Sequence, residues 1–164
     1  MDFLATLELS QDNAVEIACV NSPSGTVLAG VEVALNQVKA ALPPGTFSAF
    51  VQGNIAFHSS HVDPILPNIR CRLTFLDRPD RVLARTNISP VFVSTVTGEE
   101  STQTDAEYWC RNVRSAVLFQ HAVQCIFEDE DTAPDVVLEI GPHKTLAGPV
   151  LQTIKAAGRE ALVL

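Results

Sequence analysis

Residues 136–154 read VVLEIGPHKTLAGPVLQTI. The run Val136 to Ile140 is apolar except for Glu139, the composition of a strand buried on both faces. Gly141-Pro142 turns the chain sharply into a last helix. Upstream, Phe119, Ala122, Val123, Ile126 and Phe127 fall at i, i+3, i+4, i+7 and i+8, which predicts an amphipathic helix with one buried face. Thr104-Asp105-Ala106-Glu107 fits the Ser/Thr-x-x-Glu capping box and predicts a helix start. Val91 to Thr95 reads as a strand closed by Thr97-Gly98. Strand, helix, strand, helix in this order places the chain in the α/β class, with a parallel sheet covered by helices.

Nearer the start, Val15 to Val20 and Thr26 to Ala29 are β-type runs flanking the turn formers Asn21-Ser22-Pro23-Ser24-Gly25, a hairpin with a longer loop. Val31, Ala34, Leu35, Val38 and Leu42 recur at helical spacing until Pro43-Pro44-Gly45 ends the pattern. Phe47 to Phe57 reads as a strand leading to His58, so the first third forms a small α+β subdomain. Pro64 suits the first turn of a helix, and Asp77-Arg78-Pro79-Asp80-Arg81 is a charged loop. A further strand-like run, Met1 to Leu9, is separated from the next by Ser10 to Ala14 alone.

Apolar residues make up 46% of the 164 and charged residues 18%, a globular composition without a bias toward disorder. A formal charge of −8 argues against nucleic acid as a partner, since little here neutralises phosphates. No apolar run reaches the roughly 18 residues of a membrane span, and MDFLATLELSQD carries no basic secretory region, so the expected location is cytoplasmic. Cys19, Cys71, Cys110 and Cys125 are scattered without metal-ligand spacing and read as buried thiols in a reducing compartment.

One stretch carries candidate chemistry: NIAFHSSHVDP, residues 54–64. A histidine at a strand end is placed to act as a general base, because strand ends in such sheets open onto the ligand crevice. His58 and His61 are also a candidate zinc pair, though zinc wants three or four ligands and no third sits at a suggestive distance. The plainest alternative is a histidine satisfied by hydrogen bonds in a packed turn.

Five stretches in order resemble the acyltransferase domain of type I polyketide synthases, the fungal enzymes especially: VNSPSGTVLAG (20–30), AFHSSHVDPI (56–65), VFVSTVTGE (91–99), DAEYWCRNVRSAVLF (105–119) and VLEIGPHKTLAGPVLQTI (137–154). The resemblance implies a partial α/β-hydrolase-like acyltransferase core with a ferredoxin-like subdomain: residues 1–57 as the small subdomain and 58–164 as the C-terminal half of the core. It also implies a reaction. A serine in a Gly-His-Ser-x-Gly elbow attacks the thioester of an acyl-coenzyme A, histidine takes the serine proton, and the phosphopantetheine thiol of an acyl carrier protein collects the acyl group. Malonyl-coenzyme A is then the substrate, and no cofactor is bound.

By the same match the catalytic base corresponds to His58. Asn112, in YWCRNVRSAV, falls at the position whose carbonyl holds the imidazole in the productive tautomer; the alternative is a helix-end residue serving local backbone groups. His61 becomes a packing or pocket-wall residue. Extender choice in the family tracks the residues before the histidine, and Ile55-Ala56-Phe57 resembles the malonyl-type His-Ala-Phe pattern more than the methylmalonyl-type Tyr-Ala-Ser. The Phe57 ring fills the space of an α-methyl group, a discrimination of roughly 1–3 kcal/mol. Ile55 departs from the pattern's polar aromatic residue, and Phe57 as plain core is the alternative.

None of the eight glycines frames a Gly-x-Ser-x-Gly. The family's elbow, oxyanion-hole glutamine and arginine clamp lie upstream of the matched region. The expectation is therefore a fragment without activity on its own, whose partners are acyl-coenzyme A, a carrier protein and the missing N-terminal half of the domain. The competing expectation is a non-catalytic module that docks on a carrier protein or on that complementary half.

Overall fold

The structure, a computed structural model, describes residues 15–53, 55–77 and 90–164. The run Met1 to Leu9 and the charged loop beyond Asp77 lie outside the described residues. Two strands, β1 (Val15–Ser22) and β2 (Gly25–Gly30), form an antiparallel hairpin in which Val15 faces Gly30 and Ser22 faces Gly25. The connection is the two residues Pro23-Ser24, shorter than the expected loop, because β1 continues through Asn21 and Ser22. Ser22 and Ser24 donate from Oγ to Oε1 of Gln152 at 2.6 and 3.1 Å, which fastens the hairpin tip to the last helix.

Helix α1 (Glu32–Ala41) follows the predicted spacing, burying Ala34 and Val38 and stopping before Pro43. The strand expected over Phe47 to Phe57 is absent among the described residues. Pairing partners are what it lacks: no described strand lies beside it, and Phe47 and Val51 stand 91% and 75% exposed. Pro64 sits inside a 3-10 turn (Ser60–Ile65), and Pro67 occupies the first turn of the following α2 (Leu66–Arg72).

The expected strand Val91 to Thr95 reduces to a single antiparallel bridge between Val93 and Glu100. A turn closes it where the sequence indicated, with Gly98 at φ +79°. Helix α3 (Ala106–Arg114) is capped by Asp105, one residue later than the capping box proposed; its Oδ1 accepts from the Tyr108 N–H at 2.7 Å. A second carboxylate, that of Asp77, accepts from the Ala106 N–H at 3.0 Å, so the donors at this helix start are shared between two acids.

The main core lies between α4 (Phe119–Ile126) and α5 (Ala147–Ala156), where Val123, Phe127, Val150 and Ile154 are buried together. Beneath them β3 (Val136–Val137) pairs in parallel with β4 (Leu162–Val163), so β3, α5 and β4 make the strand, helix, strand unit expected of an α/β fold. The ladder is shorter than the apolar run promised. It reaches the Glu139 N–H, which donates to the Leu164 carbonyl at 3.1 Å, while Ile140 is 91% exposed. The Glu139 side chain serves the next helix: its carboxylate accepts from the N–H groups of Thr145, Leu146 and Ala147 and caps α5.

No helix among the described residues is long and apolar enough to cross a membrane. At Gly98 two constraints coincide, a left-handed backbone and a position where a Cβ would fall 2.7 Å from the His121 Cβ. Gly98→Ala is expected to destabilise the chain by at least roughly 1–3 kcal/mol, read as a lowered midpoint in urea unfolding.

Candidate active site

His58 is the one non-glycine residue with a positive φ among the described residues, at +61°. A left-handed backbone is more tolerable for histidine than for most side chains, yet it still has to be held. The hold comes from the C-terminal end of α3, whose last carbonyls have no partner within the helix. Val113 O accepts from the His58 main-chain N–H at 2.9 Å, and Ser115 O accepts from the ring at Nδ1 at 3.0 Å. A carbonyl only accepts, so Nδ1 carries the proton in the neutral ring and Nε2 presents its lone pair. The ring is half-buried.

The residues that follow are pinned as firmly. Ser59 is fully buried; its Oγ donates to the Ala56 carbonyl at 2.6 Å and accepts from the His61 N–H at 3.4 Å. That hydroxyl is occupied as a cap and is closed to reaction with a substrate. Ser60 donates from both N–H and Oγ to Oε1 of Glu16 on β1, at 2.7 and 2.5 Å. Arg114, in the last turn of α3, reaches Oε2 of Glu16 at 3.2 Å and Oδ1 of Asp63 at 2.5 Å. Partial burial pushes the Glu16 carboxyl up, but the Ser60 hydroxyl, the Ser60 amide and the Arg114 charge outweigh it and hold the group below its ordinary 4.5.

The other residues singled out by the sequence surround His58 unevenly. Ile55 and Phe57 are exposed, at 63% and 45%, and the Phe57 ring lies 6.5 Å from the imidazole at 53°. Ala56 is half-buried, with its carbonyl taken by Ser59. His61 is exposed and its Nδ1 faces Ser59 Oγ at 3.3 Å, a different partner from that of His58. Asn112 is half-buried on α3, and no hydrogen bond joins it to the ring. The carbonyl on Nδ1 belongs to the main chain of Ser115 instead. Sequence inspection missed Ser115 because a main-chain acceptor has no residue signature; the nearest signal is the end of the helical pattern at Ser115-Ala116.

Three carboxyls set the acid behaviour of this frame. The Ala106 amide, then Arg70, lowers Asp77, and the amides of Thr145, Leu146 and Ala147 lower Glu139 in the same direction as Glu16. A depressed carboxyl stabilises the fold fully above its unfolded value and loses that contribution as pH falls through the folded value. Thermal stability is therefore expected to drop on acidification below about 4.5, with Glu16→Gln flattening part of that slope in melts recorded across pH 2 to 7.

Comparison with known proteins agrees with this architecture. The family described as Acyl transferase domain matches residues 4–164. A highly reducing polyketide synthase of Preussia isomera is 30% identical over 91% of this chain, and a reducing polyketide synthase of Fusarium langsethiae is 36% identical over 87%. The chain spans about 6% of the length of each of these relatives. Among solved structures, the acyltransferase domain from module 8 of the salinomycin polyketide synthase superposes with a TM-score of 0.76 at 30% identity, over 93% of this chain and 34% of that one. A malonyl CoA-acyl carrier protein transacylase from Clostridium perfringens gives 0.72 at 25%, over 94% of this chain and 46% of that one. With the match running through nearly its whole length, the chain belongs to the acyl transferase domain family.

Proposed function

We propose that this chain supplies the histidine base of an acyltransferase that moves a malonyl unit from coenzyme A to the phosphopantetheine thiol of an acyl carrier protein. The observation that carries the reading is the Nδ1 hydrogen bond to the Ser115 carbonyl, which leaves Nε2 of His58 as the proton acceptor. No Gly-x-Ser-x-Gly occurs in the sequence, so the nucleophilic serine belongs to a complementary part of the domain. Nε2 takes the serine proton as Oγ attacks the thioester carbonyl. When the tetrahedral intermediate collapses, the C–S bond breaks and the coenzyme A sulfur leaves with that proton. In the second half the carrier thiol gives its proton to Nε2 and attacks the acyl-serine, and the serine oxygen recovers a proton from the ring.

Within this reading, residues 1–57 form the small subdomain and 58–164 half of the core, with His58 at the junction. The exposed Phe57 ring beside His58 favours malonyl over a branched extender, with Ile55, Ala56 and His61 as neighbouring wall. The four cysteines are free, which supports a cytoplasmic setting, but only Cys110 is buried as expected: Cys19 and Cys125 are half-buried and Cys71 is exposed on the short α2.

The second reading, a docking module without chemistry of its own, draws on the face of the β3/β4 pair turned away from the α4/α5 core. Parallel strands are ordinarily covered on both faces. Here Leu138 and Leu162 are 64% and 57% exposed, and a cavity of about 260 Å³ opens among Val123, Phe127, Val137 and Val150.

Incubation with malonyl-coenzyme A followed by intact-mass measurement separates the two. The chain alone is expected to gain no malonyl adduct, and a stable adduct on it would refute the reading. Mixed with a separately expressed polypeptide carrying the serine elbow, it is expected to restore transfer to a carrier protein. His58→Ala is then expected to slow that transfer by roughly 10²–10⁴-fold; a complex that forms without transfer favours the docking module.

A further inference from the structure

We infer that Glu16 and Arg114 are positioning residues for His58, setting the ring through the backbone on either side of its two hydrogen bonds. The inference rests on the reading of His58 as the base. Arg114 lies between Val113 and Ser115, the two residues whose carbonyls hold His58. Ser60 lies two residues beyond His58 and spends both its N–H and its hydroxyl on Glu16, at 2.7 and 2.5 Å.

One carboxylate therefore joins the segment leaving His58 to the helix end that grips it. Arg114 repeats the link from its other edge, with Nε 2.5 Å from Oδ1 of Asp63 in the 3-10 turn. A planar guanidinium can hold two carboxylates at once in fixed directions, which a lysine ammonium cannot. The reference for the whole frame is β1. The Val117 N–H donates to Ala18 O and the Val20 N–H donates to Val117 O, each at 2.8 Å, so the strand that carries Glu16 also carries the chain leaving α3.

A left-handed residue persists only where its surroundings over-determine it, and these bonds do so at His58. Their effect on global stability is small, because the Glu16 and Arg114 side chains are 31% and 34% exposed and solvent screens such pairs. Their effect on the ring is direct. Releasing Ser60 or Arg114 frees the segment to swing Nδ1 off the Ser115 carbonyl, which removes the preference for the tautomer with Nε2 unprotonated.

The test is imidazole nitrogen NMR on the intact chain, which needs no substrate and no activity. In the wild-type chain the neutral His58 ring is expected in the Nδ1–H tautomer. Glu16→Gln keeps an acceptor for Ser60 and removes the charge facing Arg114, and Ser60→Ala removes one of two bonds. Each is expected to raise the share of the Nε2–H tautomer about tenfold, while His121 on α4 keeps its wild-type resonances, which a general loss of structure would shift. An unchanged His58 ring in both folded variants overturns the inference and leaves the base reading intact. A wild-type ring already divided between the tautomers overturns both.

Discussion

The C-terminal end of α3 offers carbonyl groups that the helix itself cannot use, and His58 takes two of them. One bond, from its own amide to Val113, holds a left-handed backbone that the chain would not otherwise keep. The other, from Nδ1 to Ser115, decides which ring nitrogen is basic. A single helix terminus thus sets the backbone, the tautomer and the direction of the imidazole. The place of α3 in the fold follows from β1, which pairs with the Val117 backbone just beyond the helix and carries the carboxylate that meets Arg114.

The rest of the molecule is arranged around that fixed point. The β1/β2 hairpin is tied to α5 through Gln152, and α5 packs on α4 over the short parallel pair β3/β4. Two helix starts receive a carboxylate from elsewhere in the chain: Asp77 reaches α3, and Glu139 reaches α5. These are local electrostatic solutions to unsatisfied amides, and they depend on ionised acids. By contrast Phe47, Val51, Val136 and Leu162 remain exposed, although Val137 and Val163 beside them pack against the α4/α5 core.

Much of this was legible in the sequence where periodicity or a side chain carries the signal. The α1 spacing, the amphipathic pattern from Phe119 and the strand, helix, strand order at Val136 all have counterparts in the fold. Strands were overextended at Phe47 to Phe57, Val91 to Thr95 and Leu138 to Ile140, because an apolar run indicates β-propensity and says nothing of whether a partner strand is present. The helix cap is Asp105 rather than Thr104: both are competent caps, and in the fold Asp105 accepts from the Tyr108 N–H while Asp77 takes the Ala106 N–H. At the site, His58 was legible as the candidate through its family motif. Its anchors were not: a main-chain carbonyl has no letter in the sequence, and Glu16 lies 44 positions from the Ser60 it binds.

Hydrogen exchange at the main-chain amide of His58 tests the grip of α3 on this residue most directly. The account predicts that this amide is protected to the same degree as the interior amides of α3, because its proton is committed to Val113 O. Exchange at the rate of a free peptide, with α3 itself protected, would show that the helix end does not hold His58 and would contradict the account at its root.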